Sequence, residues 1–174
     1  RRNESLVYYT TEIEVGAALE FLDKENRTRP PDRRITLFHI YLRALATAFH
    51  TRPGVNRFVT GGRLWQRDGV WITYSAKQEL LDGSPVLTVK RRFPADEPLP
   101  AMVDAFHEEL LARRRGRQSQ ADKEVKLALR LPVFVVSATL RLLGWANHFG
   151  LMPKSMIDDD PMYASAFVAN LGSV

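Results

Sequence analysis

The sequence predicts an α/β (α+β) domain in which helices flank a mixed sheet. Three observations predict it. The segment Leu37 to Asn56 (LFHIYLRALATAFHTRPGVN) is apolar nearly all round and then meets a Pro-Gly break, which is typical of a buried helix and its end. Short segments rich in β-branched and aromatic residues follow, separated by Gly-Gly and Asp-Gly turn signals. Further helical segments and one more strand complete the chain.

The first elements are predicted from alternation and helical spacing. Leu6 to Val15 (LVYYTTEIEV) alternates and predicts a strand. Gly16 breaks it, and Ala17 to Asn26 predicts an amphipathic helix whose apolar side holds Ala18, Leu19, Phe21 and Leu22. Arg27 to Arg34 carries four arginines and Pro30-Pro31, so we expect an exposed loop.

The central helix is predicted to begin after Thr36 as N-cap and to end before Pro53. Its apolar positions occupy too many faces for a surface helix, which predicts burial on all sides. Val55 to Thr60, Arg63 to Arg67, Val70 to Ala76 and Pro85 to Phe93 are then expected to form one sheet, joined by turns at Gly61-Gly62 and Asp68-Gly69.

Composition limits the classes of function. The chain has 174 residues, 45% hydrophobic and 26% charged, which suits one domain spanning 1–174. It has no cysteine, which excludes disulfides, thiolate nucleophiles and cysteine zinc sites. No signal-type apolar run is present, and we expect a cytoplasmic protein, with membrane association as the alternative.

The net charge of +5 and the pI near 9.7 come largely from two basic clusters. Lys90-Arg91-Arg92 is one, and Arg113-Arg114-Arg115 with Arg117 ends a helix predicted over Pro98 to Arg115. Cations favour a helix C-terminus, so we interpret the second cluster as a solvated helix end leading into the loop Gly116 to Ala121. No RNA-binding aromatic motif or zinc-finger spacing accompanies it, and no nucleic-acid partner is predicted.

Leu131 to Met152 is the second strongly apolar segment, within a helical insertion predicted around residues 122–152. Its central Arg141 and the polar groups after Gly144 disfavour a membrane span. Two short packed helices, Pro132 to Leu143 and Trp145 to Phe149, are expected instead. The alternative is peripheral contact with a membrane surface or a partner protein.

The last segment, Ala164 to Val174 (ASAFVANLGSV), predicts a strand that ends in Asn170-Leu171-Gly172. Together with the helix that ends at Pro53-Gly54-Val55-Asn56 and the strand Gly69 to Gln78, it resembles the catalytic domain of 2-oxo acid dehydrogenase acyltransferases. That family has a Pro-x-x-Asn step after a buried helix, and later a Thr-Ile-Ser-Asn-Leu-Gly strand.

The resemblance implies a chloramphenicol-acetyltransferase-like fold, a mixed sheet flanked by helices, assembled as a homotrimer or a higher multiple. It implies acyl transfer between coenzyme A and a thiol, such as the lipoyl group of a partner protein, without a metal. A histidine acts as general base there, and a hydroxyl donates to the oxyanion. Ser75, Lys77 and Asn170 are the residues implied to flank the substrate tunnel.

Two departures from the family pattern stand out. The family's catalytic histidine belongs to an H-x-x-x-D-G motif, which these 174 residues do not contain. Ala169 occupies the position of the oxyanion-stabilising hydroxyl. A non-catalytic trimeric scaffold therefore stays open beside the enzyme, as does the membrane- or partner-binding module.

The remaining candidate groups receive structural interpretations. His39 is expected to be a hydrogen-bonded core histidine, and His50, His107 and His148 lack a serine partner at triad spacing. Asp158-Asp159-Asp160 lacks the alternation of a calcium loop and predicts a capped turn before Pro161.

Overall fold

The computed structural model describes residues 7–77, 86–114, 132–151, 157 and 160–169. It contains helices and mixed sheets, which confirms the general α/β class. In chain order the elements are α1 (Gly16–Glu25), α2 (Leu37–Thr51), β1 (Arg57–Thr60), β2 (Arg63–Gln66), β3 (Trp71–Lys77), β4 (Val86–Arg92), α3 (Leu99–Arg114), α4 (Val133–His148) and β5 (Ala166–Val168). Single 3-10 turns lie at Pro31–Arg33 and Pro53–Val55.

The strands form two sheets, so the prediction of one continuous sheet is wrong. β1 and β2 form an antiparallel hairpin, while β4, β3 and β5 form a three-stranded sheet in that order. β3 is antiparallel to β4 and parallel to β5. The two sheets separate because the chain turns at Gly69, where φ is +72°, and Asn56 Nδ2 donates to the Gly69 carbonyl at 2.9 Å.

The core lies between the three-stranded sheet and helices α2 and α3. Tyr74 of β3 stacks on Phe106 of α3 with ring centroids 4.5 Å apart, and the Phe38 ring meets both edge-on. Such aromatic pairs add stabilisation beyond the apolar area that they bury. Fully or nearly fully buried side chains around them are Ile35, Leu42, Ala46, Val70, Ile72, Val89, Phe93, Met102 and Val103.

Helix α2 begins after Thr36 and ends before Pro53, as predicted, but its burial on all sides is wrong. His39, Leu42 and Ala46 are buried and share one face, whereas Tyr41 on the opposite side is 48% exposed. A helix packed on a three-stranded sheet has one covered face. The apolar residues beside that face are partly buried against the core, and Arg43 donates to the carbonyls of Pro94 and Ala95.

The strand predicted over Leu6 to Val15 is wrong for its described part. Residues 7–15 belong to no helix or strand, and Val7 is 90% exposed. Alternation makes a strand only where a neighbour supplies hydrogen bonds, and residues 7–14 make no backbone bond to another described residue. The following helix is confirmed as α1, although Leu22 is its one buried residue.

Helix α4 is continuous, so the prediction of two short helices is wrong. Gly144 lies within it, and helices tolerate a lone glycine at a cost of about 1 kcal/mol. No residue of α4 is buried. None of the helices in the described ranges combines the length and apolar character that crossing a membrane requires.

The C-terminal end of α4 contacts the β1–β2 hairpin. Thr60 Oγ1 donates to the Asn147 carbonyl at 2.9 Å, and Tyr163 Oη donates to Asn147 Oδ1 at 3.1 Å. Gly61, with φ +58°, lies so close that a Cβ there would be 2.3 Å from the His148 carbonyl oxygen. The helix is therefore held at this end by contacts that require a glycine in the hairpin turn.

The sheet is also covered on its second face. Thr73 of β3 is fully buried, and its Oγ1 donates to the Pro161 carbonyl at 2.8 Å. Lys90 of β4 donates to the carbonyls of Ile157 and Asp160. The turn at 160–163 thus packs across this face before the chain enters β5, which confirms a strand within Ala164 to Val174.

Candidate functional site

The described site residues implied by the resemblance lie at one end of β3, next to the end of β5. Ser75 is half-buried on β3, and Lys77 is the last residue of that strand, with a side chain outside the described set. Ala169 is exposed and follows β5 directly, while Asn170 lies outside the described residues. The last matched pair of the parallel strands is Tyr74 with Val168. Ser75 and Ala169 each come next after that pair, so the structure brings them to the same sheet end.

His39 is a titratable group whose pKa is strongly shifted by its surroundings. Its Nδ1 accepts a hydrogen bond from the Thr36 backbone N–H at 3.1 Å, and its ring meets Phe106 edge-on at 4.8 Å. Burial, with a smaller contribution from the nearby charge of Arg29, lowers the pKa of His39 from 6.5 to about 4. The residue is a neutral helix-capping group, which agrees with its interpretation as a core histidine.

The other three histidines also make structural contacts. His50 Nε2 lies 2.8 Å from the Phe93 carbonyl, so that nitrogen donates and holds the end of α2 against β4. His107 of α3 lies 3.6 Å from Asp32. His148 ends α4 and meets the Phe149 ring edge-on. None of the contacts of these three histidines within the described ranges is to a serine, so no Ser–His pair is present there.

The acidic segment before Pro161 forms part of a turn. Asp160 Oδ1 accepts from the Met162 backbone N–H at 2.8 Å, as expected for a capped turn, while Asp158 and Asp159 lie outside the described residues. Among the residues that the structure describes, no group of three metal-ligating side chains converges.

A separate cavity of about 270 Å³ lies where the hairpin, the second face of the sheet and the C-terminal turn meet. Trp71, Lys90 and Arg92 line it from the sheet. Arg67 and Asp68 line it from the segment that leaves β2. Tyr163 and Ile157 close the third side.

Aromatic rings position two of the cations in this cavity. The Arg67 guanidinium carbon lies 4.8 Å from the centroid of the Phe58 ring, and Lys90 Nζ lies 5.3 Å from that of Trp71. Arg67 Nη1 also donates to the Tyr163 carbonyl at 3.1 Å. Burial lowers the pKa of Arg67 below its usual value. The cavity is consequently a cationic, aromatic-lined site.

This cavity contains functional candidates that the sequence reasoning missed. Lys90-Arg91-Arg92 was treated as one basic cluster, yet in a strand alternate residues point to opposite faces. Lys90 and Arg92 accordingly line the cavity, whereas Arg91 turns to the other side and pairs with Glu97. Strand periodicity applied to the charged residues would have separated them.

No family model and no curated protein matches the chain. The described geometry offers two chemically distinct regions: the sheet end with Ser75 and Ala169, and the cationic cavity. The first can present strand-end polar groups to a substrate, and the second can hold an anion.

Proposed function

We propose that the chain is a CoA-dependent acyltransferase-like domain of the chloramphenicol-acetyltransferase-like fold, which transfers an acyl group between CoA and a thiol such as a lipoyl group. One packing observation supports it. The helix that ends before Pro53 and the strand that precedes Asn170 share a single core, in which Val168 packs against the buried cluster that contains Leu42. Two of the segments that carry the family resemblance therefore contact the same core.

The geometry at the Pro-x-x-Asn step fits the same proposal. Asn56 is buried, and its amide bridges to the Gly69 carbonyl while its own backbone carbonyl accepts from the Arg67 N–H at 3.1 Å. These bonds fix the entry of the chain into β3. The position of Ser75 on that strand is set by the same contacts, because a one-residue shift would reverse its face.

The direct test is CoA binding by isothermal titration calorimetry, together with acetyl transfer from acetyl-CoA to dihydrolipoamide. We expect CoA to bind, and Ser75→Leu to weaken binding at least five-fold. Ser137→Leu on the exposed side of α4 is the matched control. Absence of CoA binding by the parent chain would overturn the proposal.

Acetyl transfer depends on a general base, which the family supplies from an H-x-x-x-D-G motif. The reading frame downstream of Val174 is therefore part of the test. Such a motif there supports an enzyme, and a longer product containing it should turn over. If the full product carries no such motif and no transfer occurs, the enzyme proposal fails.

A non-catalytic trimeric scaffold is the second candidate, and Ala169 favours it. An alanine cannot donate to an oxyanion, and the loss of one such donor typically lowers the rate by about 10²–10³. Ala169→Ser distinguishes the two candidates in the transfer assay. A rise of about 100-fold supports an enzyme with a missing donor, whereas a trimer that stays inactive with serine supports the scaffold.

A peripheral membrane- or partner-binding function is favoured by the exposure of α4. Val133, Phe134, Trp145 and Phe149 are each more than half exposed. We expect Trp145→Ser with Phe149→Ser to abolish co-sedimentation with phosphatidylserine-containing vesicles, while Thr139→Ser leaves it unchanged. No sedimentation of the parent, or unchanged sedimentation of the double variant, would contradict the membrane form of this function.

A further inference from the structure

The cationic cavity carries an inference that does not depend on acyl transfer. Two of its arginines, Arg67 and Arg92, form no ion pair with a carboxylate in the described part of the chain. Asp68 and Lys90 also line the cavity, and their formal charges are opposite and sum to zero. Among the described residues that line the cavity, the formal charges therefore sum to two positive charges, carried by the two guanidinium groups.

Arg67 is held in place at an energetic cost. Its guanidinium is partly withdrawn from water, which disfavours a charged group unless a counter-charge compensates. One of its five N–H donors is used, by the Tyr163 carbonyl, and the remaining donors bind no described protein group. The Phe58 ring beneath it fixes the plane of the fork. A charged fork that is positioned in this way is suited to an anionic ligand.

The Arg92 side chain packs against Gly69, where the absence of a Cβ makes room for it. A Cβ at position 69 would lie 2.9 Å from Arg92 Nε and 3.3 Å from its Nη2. Arg92 makes no hydrogen bond to a protein group within the described ranges, and the residue is exposed. Arg67 and Arg92 thus line one cavity from two separate segments.

Charge and size define the ligand class. A phosphate monoester carries about −1.5 to −2 charges at neutral pH, which matches the two uncompensated guanidinium groups. Guanidinium forks bind phosphate oxygens in a bidentate manner. The volume of 270 Å³ is close to the lower end of small-molecule sites, about 300 Å³, so the organic part must be small.

We propose that this cavity binds a small phosphate monoester, with the guanidinium groups of Arg67 and Arg92 donating to the phosphate oxygens and the rings of Trp71 and Tyr163 bordering the organic part. The site lies on the second face of the three-stranded sheet, apart from the core helices.

Calorimetric titration at low salt tests this with phenyl phosphate, inorganic phosphate and phenyl sulfate. We expect phenyl phosphate to bind at least ten-fold more tightly than phenyl sulfate, because the sulfate carries a single charge. Inorganic phosphate should bind more weakly than phenyl phosphate, since it lacks the ring. Equal affinity for phosphate and sulfate esters, or no binding of phenyl phosphate at millimolar concentration, would overturn the proposal.

Variants locate the site. Arg67→Gln and Arg92→Gln should each weaken phenyl phosphate at least ten-fold, and Arg67→Lys should give an intermediate loss because it keeps the charge without the fork. Arg34→Gln, an exposed arginine outside the cavity, is the matched control and should change affinity less than two-fold. If Arg67→Gln does not fold, the proposal is tested with Arg92→Gln, since Arg92 is exposed. Unchanged affinity in Arg92→Gln would contradict the assignment, whatever the acetyl-transfer assay gives.

Discussion

At the residue scale, single polar side chains fix where elements begin. His39 occupies the third position of α2, where a capping box normally carries Glu or Gln, and its Nδ1 accepts from the Thr36 N–H. Because that nitrogen is an acceptor, the ring is neutral with its proton on Nε2. Protonation would remove the cap and place a charge against Phe106.

We therefore expect stability to depend on pH through His39. Its pKa is lowered from 6.5 to about 4 in the folded chain, so between these values the unfolded chain binds more protons. The free energy of unfolding should fall as the pH decreases through this window, by at most about 1.4 kcal/mol per pH unit, and the contribution should level off below it. Urea unfolding at several pH values measures it.

The control is His39→Gln, which keeps a cap acceptor and does not titrate. The difference in unfolding free energy between the parent and this variant should change with pH only inside that window. Parallel curves for the two proteins would contradict the assignment.

Asn56 fixes the other end of the α2 region. It is buried, and its side-chain amide is the donor to the Gly69 carbonyl. Asn56→Ala should lower the free energy of unfolding by about 1–3 kcal/mol, because the partly buried Gly69 carbonyl loses its donor. Chemical denaturation measures the change. Thr47→Ala, on the exposed side of α2, is the comparison. If the two variants lower the free energy of unfolding by the same small amount, this role of Asn56 is refuted.

At the element scale, the packing of α4 against the β1–β2 hairpin depends on the glycine turn at Gly61-Gly62. Gly61→Ala adds both left-handed strain and a clash with the His148 carbonyl, whereas Gly62→Ala, at φ +71° with nothing within 4 Å, adds strain alone. We expect Gly62→Ala to cost about 1–2 kcal/mol and Gly61→Ala clearly more.

Hydrogen exchange provides the second measurement of this pair. Amides at the C-terminal end of α4 should exchange faster in Gly61→Ala and remain as in the parent in Gly62→Ala. The same exchange pattern in both variants would show that the hairpin does not hold the helix.

An ion pair joins strand β4 to the segment that precedes α3. Arg91 donates two hydrogen bonds to the Glu97 carboxylate, and the two side chains are 12% and 14% exposed. Arg91→Met leaves that carboxylate without its partner in a poorly solvated place, so we expect a loss of about 3–5 kcal/mol in unfolding free energy.

The comparison is Arg33→Met. Arg33 is 38% exposed and lies 3.9 Å from Asp104 and Glu108, which is the geometry of a weak surface pair. Its loss should cost about 0–1 kcal/mol. Similar losses in both variants by urea denaturation would contradict the distinction.

At the scale of the whole molecule, the proposed fold makes a statement about assembly. The resemblance implies a homotrimer, so light scattering after size exclusion should give a mass near three times 19.8 kDa. A mass that stays at 19.8 kDa across the micromolar range would count against both the enzyme and the scaffold.

Local chemistry made part of this structure predictable. Thr36 and Pro53 mark the ends of α2 through hydrogen bonding and ring geometry that depend only on nearby residues. The Gly61-Gly62 turn and the strands around it follow from the same kind of signal. The general α/β class follows from their order.

The wrong predictions concern which other elements each helix or strand packs against. Alternation from Leu6 to Val15 cannot reveal whether another strand stands beside it, and the apolar residues of α2 cannot reveal that one side faces solvent. Gly144 also looked like a break, although α4 passes through it. The cavity was missed because Arg67 and Lys90 are far apart in sequence and meet only after β3, β4 and the C-terminal turn have assembled.

Strand β3 can pair with β5 only well after β3 has been synthesised, because β5 lies far from it along the sequence. Trp71 and Ser165, joined by a hydrogen bond, are 94 residues apart in the sequence. At about 5–20 residues per second, the ribosome needs roughly 5 to 20 seconds between making one and the other. Throughout that interval the edge of the central strand that β5 will cover, on the side opposite β4, is open and available to another nascent chain. Slower elongation over this stretch should lengthen that exposure and lower the yield of native protein.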